Sequence, residues 1–371
     1  MRRLTILLFL MAAAWAQTPT QSNGVCKPCI QAHEEFLASD ALAGRGSATD
    51  DEQIAAEYIA AQLRQYGVQP GIKLDAEPGV QLAVNSNAKS LERGEGYIQT
   101  VVMPLDLSKL PLERMPPALA RRLKAVVHDG KLTTRNVLGI LPGADPRLKK
   151  EVVLLSAHLD HLGRAPEEAV QGDAIFNGAD DDASGCAAVL ELARALASGR
   201  RPRRTVIFAF FGSEELGGFG DRYFLQHPPV PLDSIVANLE FEMLGRPDAS
   251  VPPHTLWLTG WERSDLGPWL ARHGARLVGD PHPKENFFRR SDNYALARKG
   301  IVAQTVSSFG LHTDYHQPSD DLAHLDLAHM ADAIGSMIRP VRWLANSSFK
   351  PRWKPGGRPP EVSARPPAAT H

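Results

Sequence analysis

The pattern of apolar and polar positions changes character along the chain, and each change marks an element. From Thr49, an apolar face forms through Ile54, Tyr58 and Leu63, with alanines between them. Thr49 and Glu52 make a capping box and Gly67 a stop, so the spacing predicts a helix over Thr49–Gly67. Residues 70–135 are irregular and rich in Pro, Gly and charge, and only Tyr97–Met103 reads there as a strand. Asn136–Leu141 and Val152–Ala157 are expected strands separated by a Pro-Gly turn. Ser184–Ser198 reads as a helix. Thr205–Phe211 is a continuous apolar run, the mark of a strand buried on both faces. Val236–Phe241 and Ile301–Val306 are further strands, and residues 327–346 form a helix with an expected break at Pro340. Strands alternate with helices, which implies an α/β fold around a largely parallel sheet. No repeat and no long linker divides the body, so residues 25–348 are expected to form a single domain.

The two ends are different. Arg2 and Arg3 precede an apolar stretch from Leu4 to Ala14, and Ala14-Trp15-Ala16 fits a signal-peptidase site. Residues 1–16 are therefore expected to be a cleaved signal peptide, with a secreted or periplasmic product. The run is short for a membrane span of about 20 residues, and no stable membrane insertion is expected after cleavage. Residues 349–371 carry six prolines and a Gly-Gly pair and are expected to be a disordered tail. Cys26 and Cys29 could close a small disulfide in an exported chain; Cys186 reads as a buried small residue. The formal charge of -1 moves to -3 once the leader is removed, so no overall field favours nucleic acid or an anionic membrane. Function has to come from local chemistry.

That chemistry is concentrated where expected strands end. His158-Leu159-Asp160 follows one strand, and the Asp stands where it could take the second ring N–H of the His. Asp180-Asp181-Asp182 would repel one another in a dry site without a cation; the competing reading is a solvated turn capping the helix that begins near Ser184. Glu214-Glu215 follows the most apolar strand, and adjacent residues point different ways, so one could bind metal while the other acts as a general base. An acidic helix start would also suit the pair. Glu240 and Glu242 alternate with apolar residues and share a side of their strand, where buried acids need partners. Tyr315-His316-Gln317-Pro318-Ser319-Asp320 lies in an expected loop, with His312 nearby. Imidazoles and carboxylates from separated segments, with no thiolate, suit zinc.

Taken in order, these motifs resemble the di-zinc aminopeptidase family, metallopeptidase family twenty-eight, which includes glutamate carboxypeptidases and relatives without peptidase activity. The resemblance runs from about Phe36 to Asp326. It is carried by Leu42-Ala43-Gly44-Arg45-Gly46, Asn136-Val137-Leu138-Gly139, Ala157-His158-Leu159-Asp160-His161-Leu162-Gly163, Gly178 to Gly185, Ser213-Glu214-Glu215-Leu216-Gly217, Ser291-Asp292 and Tyr315 to Asp320. It implies a three-layer αβα sandwich with a central, mostly parallel mixed sheet and two zinc ions per chain. Asp181 would bridge the ions, and the pattern allows a cis bond to Asp182. His158 and Glu242 would hold the first zinc, with Asp160 orienting His158; Glu215 and His316 would hold the second. Glu214 would be the general base, and Tyr315 matches a tyrosine that supports the oxyanion in some relatives. Two positions depart from the pattern: Glu242 stands where Asp is usual, and Asn293 where His often follows Ser-Asp. Too few residues lie between Val80 and Asn136 for an inserted lid domain. The resemblance implies removal of terminal residues from peptides. Aminopeptidase action is expected first, with a carboxypeptidase, a glutaminyl cyclase on one zinc, or a non-catalytic binding protein of the same fold as rivals.

Overall fold

The computed structural model describes residues 24–73 and 95–361. The expected signal peptide and the last ten residues of the expected tail lie outside them. Nine strands form one sheet. They are β1 (Gln69–Pro70), β2 (Ile98–Pro104), β3 (Lys131–Leu141), β4 (Val152–His158), β5 (Thr205–Phe211), β6 (Ile235–Phe241), β7 (Leu256–Leu258), β8 (Leu277–Gly279) and β9 (Ala303–Ser307). The spatial order is β1-β3-β5-β4-β6-β9-β7-β8, with β2 also paired to β3. The centre, β5-β4-β6-β9, is parallel, while β3 joins β5, and β7 joins β9, antiparallel.

The central strands are buried on both faces, which is why they read as unbroken apolar runs. Alternate residues go to opposite sides: Val153, Leu155, Val206 and Phe208 face one core, and Val152, Leu154, Ile207 and Phe211 face the other. The first core is closed by α1 (Lys27–Leu37), α2 (Asp50–Gln65), α4 (Gly185–Ala197), α6 (Leu266–Arg272) and α8 (Leu327–Asn346), the second by α5 (Phe219–Gln226) and α7 (Asn293–Arg298). The result is the expected three-layer sandwich. Among the described residues no helix is long and apolar enough to cross a membrane.

Several local expectations need correcting. Ile54 is 46% exposed, and α2 packs instead through Ala55, Ala56, Ile59 and Leu63. A helix, α3 (Pro117–Val126), lies within the stretch that resisted assignment; its Leu123 packs in a small cluster with Leu216 and Phe219 just beyond the Glu214-Glu215 turn. Pro340 does not break α8. The helix continues to Asn346 with Met337, Val341 and Leu344 buried, and that burial outweighs the roughly 3 kcal/mol a mid-helix proline costs. Residues 349–361 are not a loose tail. Phe349 packs on Trp269 and Trp343, Trp353 Nε1 donates to Gly300 O, and Lys354 N donates to Arg263 O. Two aromatics give this proline-rich segment enough apolar surface to dock. Cys26 and Cys29 are joined in a disulfide at the start of α1.

Candidate metal centre

Five chain segments converge where the parallel strands end. His158 is the last residue of β4, Glu214 and Glu215 follow β5, and Glu242 follows β6. Asp181 and His316 arrive on loops. This is the carboxyl edge of the sheet, where α/β folds place their sites.

The three consecutive aspartates divide their work. Asp182 is buried and accepts from His158 N (3.2 Å), Gly185 N (3.0 Å) and Met243 N (3.1 Å). Asp180 accepts from Gly245 N at 2.6 Å and faces His312 Nε2 at 2.9 Å. Both are ties between segments. Asp181 alone points into the site, with its own N–H and that of Asp180 each donating to Asp320 at 3.0 Å. The Asp181–Asp182 peptide is cis, as the family pattern allows.

Asp181 Oδ1 lies 3.0 Å from His158 Nε2, and Asp181 Oδ2 lies 3.2 Å from His316 Nε2. Glu215 Oε2 is 3.3 Å from the same His316 nitrogen. Two groups of side chains can each enclose an ion: His158, Asp181 and Glu242, and His161, Asp181 and Glu215. They share Asp181. His158 Nε2, His161 Nδ1 and Glu215 Oε1 are buried and have no hydrogen-bond partner. Unpaired buried polar atoms are expensive, and borderline-soft nitrogen and carboxylate donors are those zinc takes. The residues present therefore fit a pair of zinc ions.

His161 is the residue missed by reading the sequence. Its only sequence signal was a second imidazole three places after His158 in Ala157-His158-Leu159-Asp160-His161. In the fold it is fully buried, with Nδ1 2.8 Å from Glu215 Oε1.

Asp160 also departs from expectation. His158 Nδ1 sits 3.2 Å from the backbone oxygen of Asp160, whereas the Asp160 carboxylate is 3.9 Å away. That carboxylate accepts instead from Ser47 Oγ (2.5 Å), Glu214 N (3.0 Å) and Glu215 N (3.3 Å). Asp160 thus fixes the His158 ring through its backbone and holds the Glu214-Glu215 turn through its side chain. Glu52 braces the same turn by accepting from Ser213 N at 3.1 Å, in place of closing the expected reciprocal box with Thr49.

The two departures from the family pattern have different outcomes. Glu242 belongs to the first ion-binding group. Asn293 faces no pocket: it is buried, its amide contacts Phe288 O and Ala303 O, its side-chain oxygen accepts from Thr305, and its N–H donates to Glu240. Glu240 is thereby drawn away from the metal groups.

Burial raises the Glu214 carboxyl well above its ordinary range; neighbouring His158 opposes this and Glu215, Glu242 and Asp160 add to it. Burial, with Asp181 close by, brings Glu242 to about 7. For His316 burial works downward, but the Glu215 and Asp181 carboxylates win and lift it to about 11. Tyr315 stacks on His316 at 3.9 Å, and burial raises its phenol so that it stays an O–H donor. Beside Glu242 lies a small cleft of ≈ 30 Å³ walled by Met243, Trp257, Phe287, Phe309 and Tyr315, with Arg290 lining it as well.

A mostly parallel sheet whose carboxyl edge carries two histidine–carboxylate groups sharing one aspartate defines a metal-dependent hydrolase. The sequence model of peptidase family M28 matches residues 136–340, and the chain belongs to that family. An aminopeptidase of Pseudomonas aeruginosa is 34% identical over 133 residues, 36% of this chain but only 22% of that protein. A zinc aminopeptidase from Bacillus subtilis superposes with a TM-score of 0.57 at 16% identity, over 88% of this chain and 97% of its own. Porphyromonas gingivalis glutaminyl cyclase superposes almost as well, at 0.56 and 16% identity over 86% and 99% of the two chains. Likeness at that level shows the fold and leaves the reaction to the site.

Proposed function

We propose that this chain is an exported di-zinc exopeptidase that removes N-terminal residues from peptides. The observation that carries the reading is the pair of histidine–carboxylate groups meeting at Asp181, with Glu214 beside them. His158, Asp181 and Glu242 would hold one ion; Asp181 and Glu215 would hold the other with His316, which lies outside the second group of three but approaches both carboxylates at 3.2 and 3.3 Å. When bound, zinc supplies Lewis acidity that brings a water toward ionisation at neutral pH and polarises the scissile carbonyl. Glu214 takes the proton from that water and returns it to the leaving amine; burial and its acidic neighbours suit it to hold a proton near neutrality. The Tyr315 O–H supports the oxyanion. Asp160 keeps Glu214 and Glu215 in register by gripping both backbone N–H groups.

The apolar walls of the small cleft beside Glu242 favour a small apolar side chain on the terminal residue. The aminopeptidase names of the Pseudomonas and Bacillus relatives favour attack at the amino end. Arg290 keeps a carboxypeptidase reading open, because a guanidinium there could pair with a terminal carboxylate. The Cys26–Cys29 disulfide suits an oxidising compartment, in keeping with export of the chain after cleavage at Ala16.

A panel of aminoacyl and C-terminal chromogenic substrates, with and without chelator, separates these readings. Chelator-sensitive cleavage of aminoacyl substrates is expected; cleavage confined to C-terminal substrates would establish the carboxypeptidase. Glu214→Gln should keep two zincs and lose about 10²–10⁴-fold in turnover. An active variant would sink the base assignment.

A further inference from the structure

His161 is not needed for the five-residue ligand set, yet the fold takes trouble to place it. Its N–H donates to Arg45 O at 3.0 Å and its carbonyl accepts from Ser47 N at 3.1 Å. Its ring packs against Gly178, where a Cβ would meet ring carbon Cγ at 2.5 Å. The ring is fully buried, and neither nitrogen has a hydrogen-bond partner. Nδ1 is nevertheless 2.8 Å from Glu215 Oε1 and 3.8 Å from Asp181 Oδ2. A nitrogen and a carboxylate oxygen at 2.8 Å normally share a proton. Here both remain unpaired, because they are not aligned toward each other. Such a pair, close but misaligned, is what two donors converging on one cation present. The first group shows the same relation, since His158 Nε2 lies 3.0 Å from Asp181 Oδ1 and is likewise unpaired.

His316 Nε2 approaches the same two carboxylates, at 3.2 Å from Asp181 Oδ2 and 3.3 Å from Glu215 Oε2. The two imidazoles, with ring centroids 5.7 Å apart, thus approach the same two carboxylates, His161 at Glu215 Oε1 and His316 at Glu215 Oε2. Zinc–ligand lengths near 2.0–2.2 Å put tetrahedral donors about 3.3 Å apart, and the four nitrogen–oxygen distances, from 2.8 to 3.8 Å, straddle that value.

We infer that His161 is a fourth protein ligand of the second zinc, making that position a closed site of His161, His316, Asp181 and Glu215. The first position keeps three protein donors, His158, Asp181 and Glu242. Zinc sites with four protein ligands are the structural kind, and catalytic ones keep a place open. The two ions therefore differ in role: the second is held tightly and anchors Asp181 and Glu215, and the first is the exchangeable one that faces substrate. This inference rests on the di-zinc reading above.

The test is a titration of the chelator-stripped full chain with Zn²⁺ against a competing fluorescent chelator, repeated with Co²⁺ while recording its visible absorption. The wild-type chain should bind two ions in steps at least about tenfold apart. His161→Ala should weaken the tighter step by about tenfold or more and change the Co²⁺ spectrum of the first equivalent. His161→Asn keeps an N–H near the Nδ1 position and a similar shape. If His161 only hydrogen-bonds Glu215, Asn restores the tight step and the ligand role is overturned; if His161 is a ligand, Asn binds as weakly as Ala. Circular dichroism checks that each variant folds, and Asn carries the test if Ala does not. Two ions bound with unchanged steps in His161→Ala would overturn this inference and leave the di-zinc reading standing. Fewer than two ions in the wild-type chain would overturn that reading itself, and this inference with it.

Discussion

At Asp180-Asp181-Asp182, three identical side chains in a row do three jobs because each has different neighbours. Backbone N–H groups neutralise the first and third by hydrogen bonding, which leaves the second as the only one of the three open to a cation. Gly178 makes this arrangement possible. Its φ of +59° suits glycine, and a Cβ there would meet Asp181 O at 2.2 Å as well as the His161 ring. Gly178→Ala should therefore lower stability by more than about 1 kcal/mol, the strain of a left-handed residue alone, and weaken zinc binding too. Urea midpoints of the metal-stripped chain and zinc titration measure the two effects. An unchanged midpoint would mean that the loop has room that its geometry denies.

At the scale of elements, the site is assembled from strand ends and held by a segment that carries no ligand. Residues 42–47 form a short connection between α1 and α2. Arg45, buried within it, donates to Leu159 O (3.1 Å), Leu37 O (2.5 Å), Asn177 O (2.6 Å) and Gly178 O (2.9 Å). It thereby clamps the loop after His158 to the loop before Asp181. Removing such a donor strands several buried carbonyls, each costing about 1–3 kcal/mol. Arg45→Met is expected to destabilise the chain by at least about 3 kcal/mol, read as a shift of the thermal or urea midpoint. A loss below about 1 kcal/mol would show that the loops hold their shape without it.

For the whole molecule, buried acids make stability depend on pH. Glu52 lies under the Glu214-Glu215 turn, and burial, with Asp160 adding to it, lifts its carboxyl from the usual 4.5 to about 8. A folded-state value above the unfolded one means that the proton is bound more tightly in the fold. The resulting stabilisation is complete below pH 4.5 and is lost as pH rises toward 8. Glu52→Gln, which cannot ionise but keeps an oxygen for Ser213 N and Thr134 Oγ1, should flatten that decline. Urea midpoints of the metal-stripped chain between pH 4.5 and 8 check it; an equally steep decline in the variant would acquit Glu52.

The sequence by itself determined the layered α/β architecture and which acids and histidines gather at the sheet's carboxyl edge. Unbroken apolar runs as short and as rich in β-branched and aromatic residues as Thr205–Phe211 read as strands covered on both faces, which puts acids or histidines directly after them at the sheet's edge. Local pattern could not decide what depends on distant partners. Ile54 and Ile59 look alike in sequence, and only the packing of α2 buries one and exposes the other. Pro340 is tolerated because the core holds the helix around it. Asp160 lies two places from His158, but its carboxylate is claimed by Ser47 and the N–H groups of Glu214 and Glu215, from segments remote in sequence. The place of His161 beside Glu215 comes from the approach of two loops 54 residues apart in the chain. Periodicity reports which face of an element is buried; which side chains meet across the fold is settled only when the loops close.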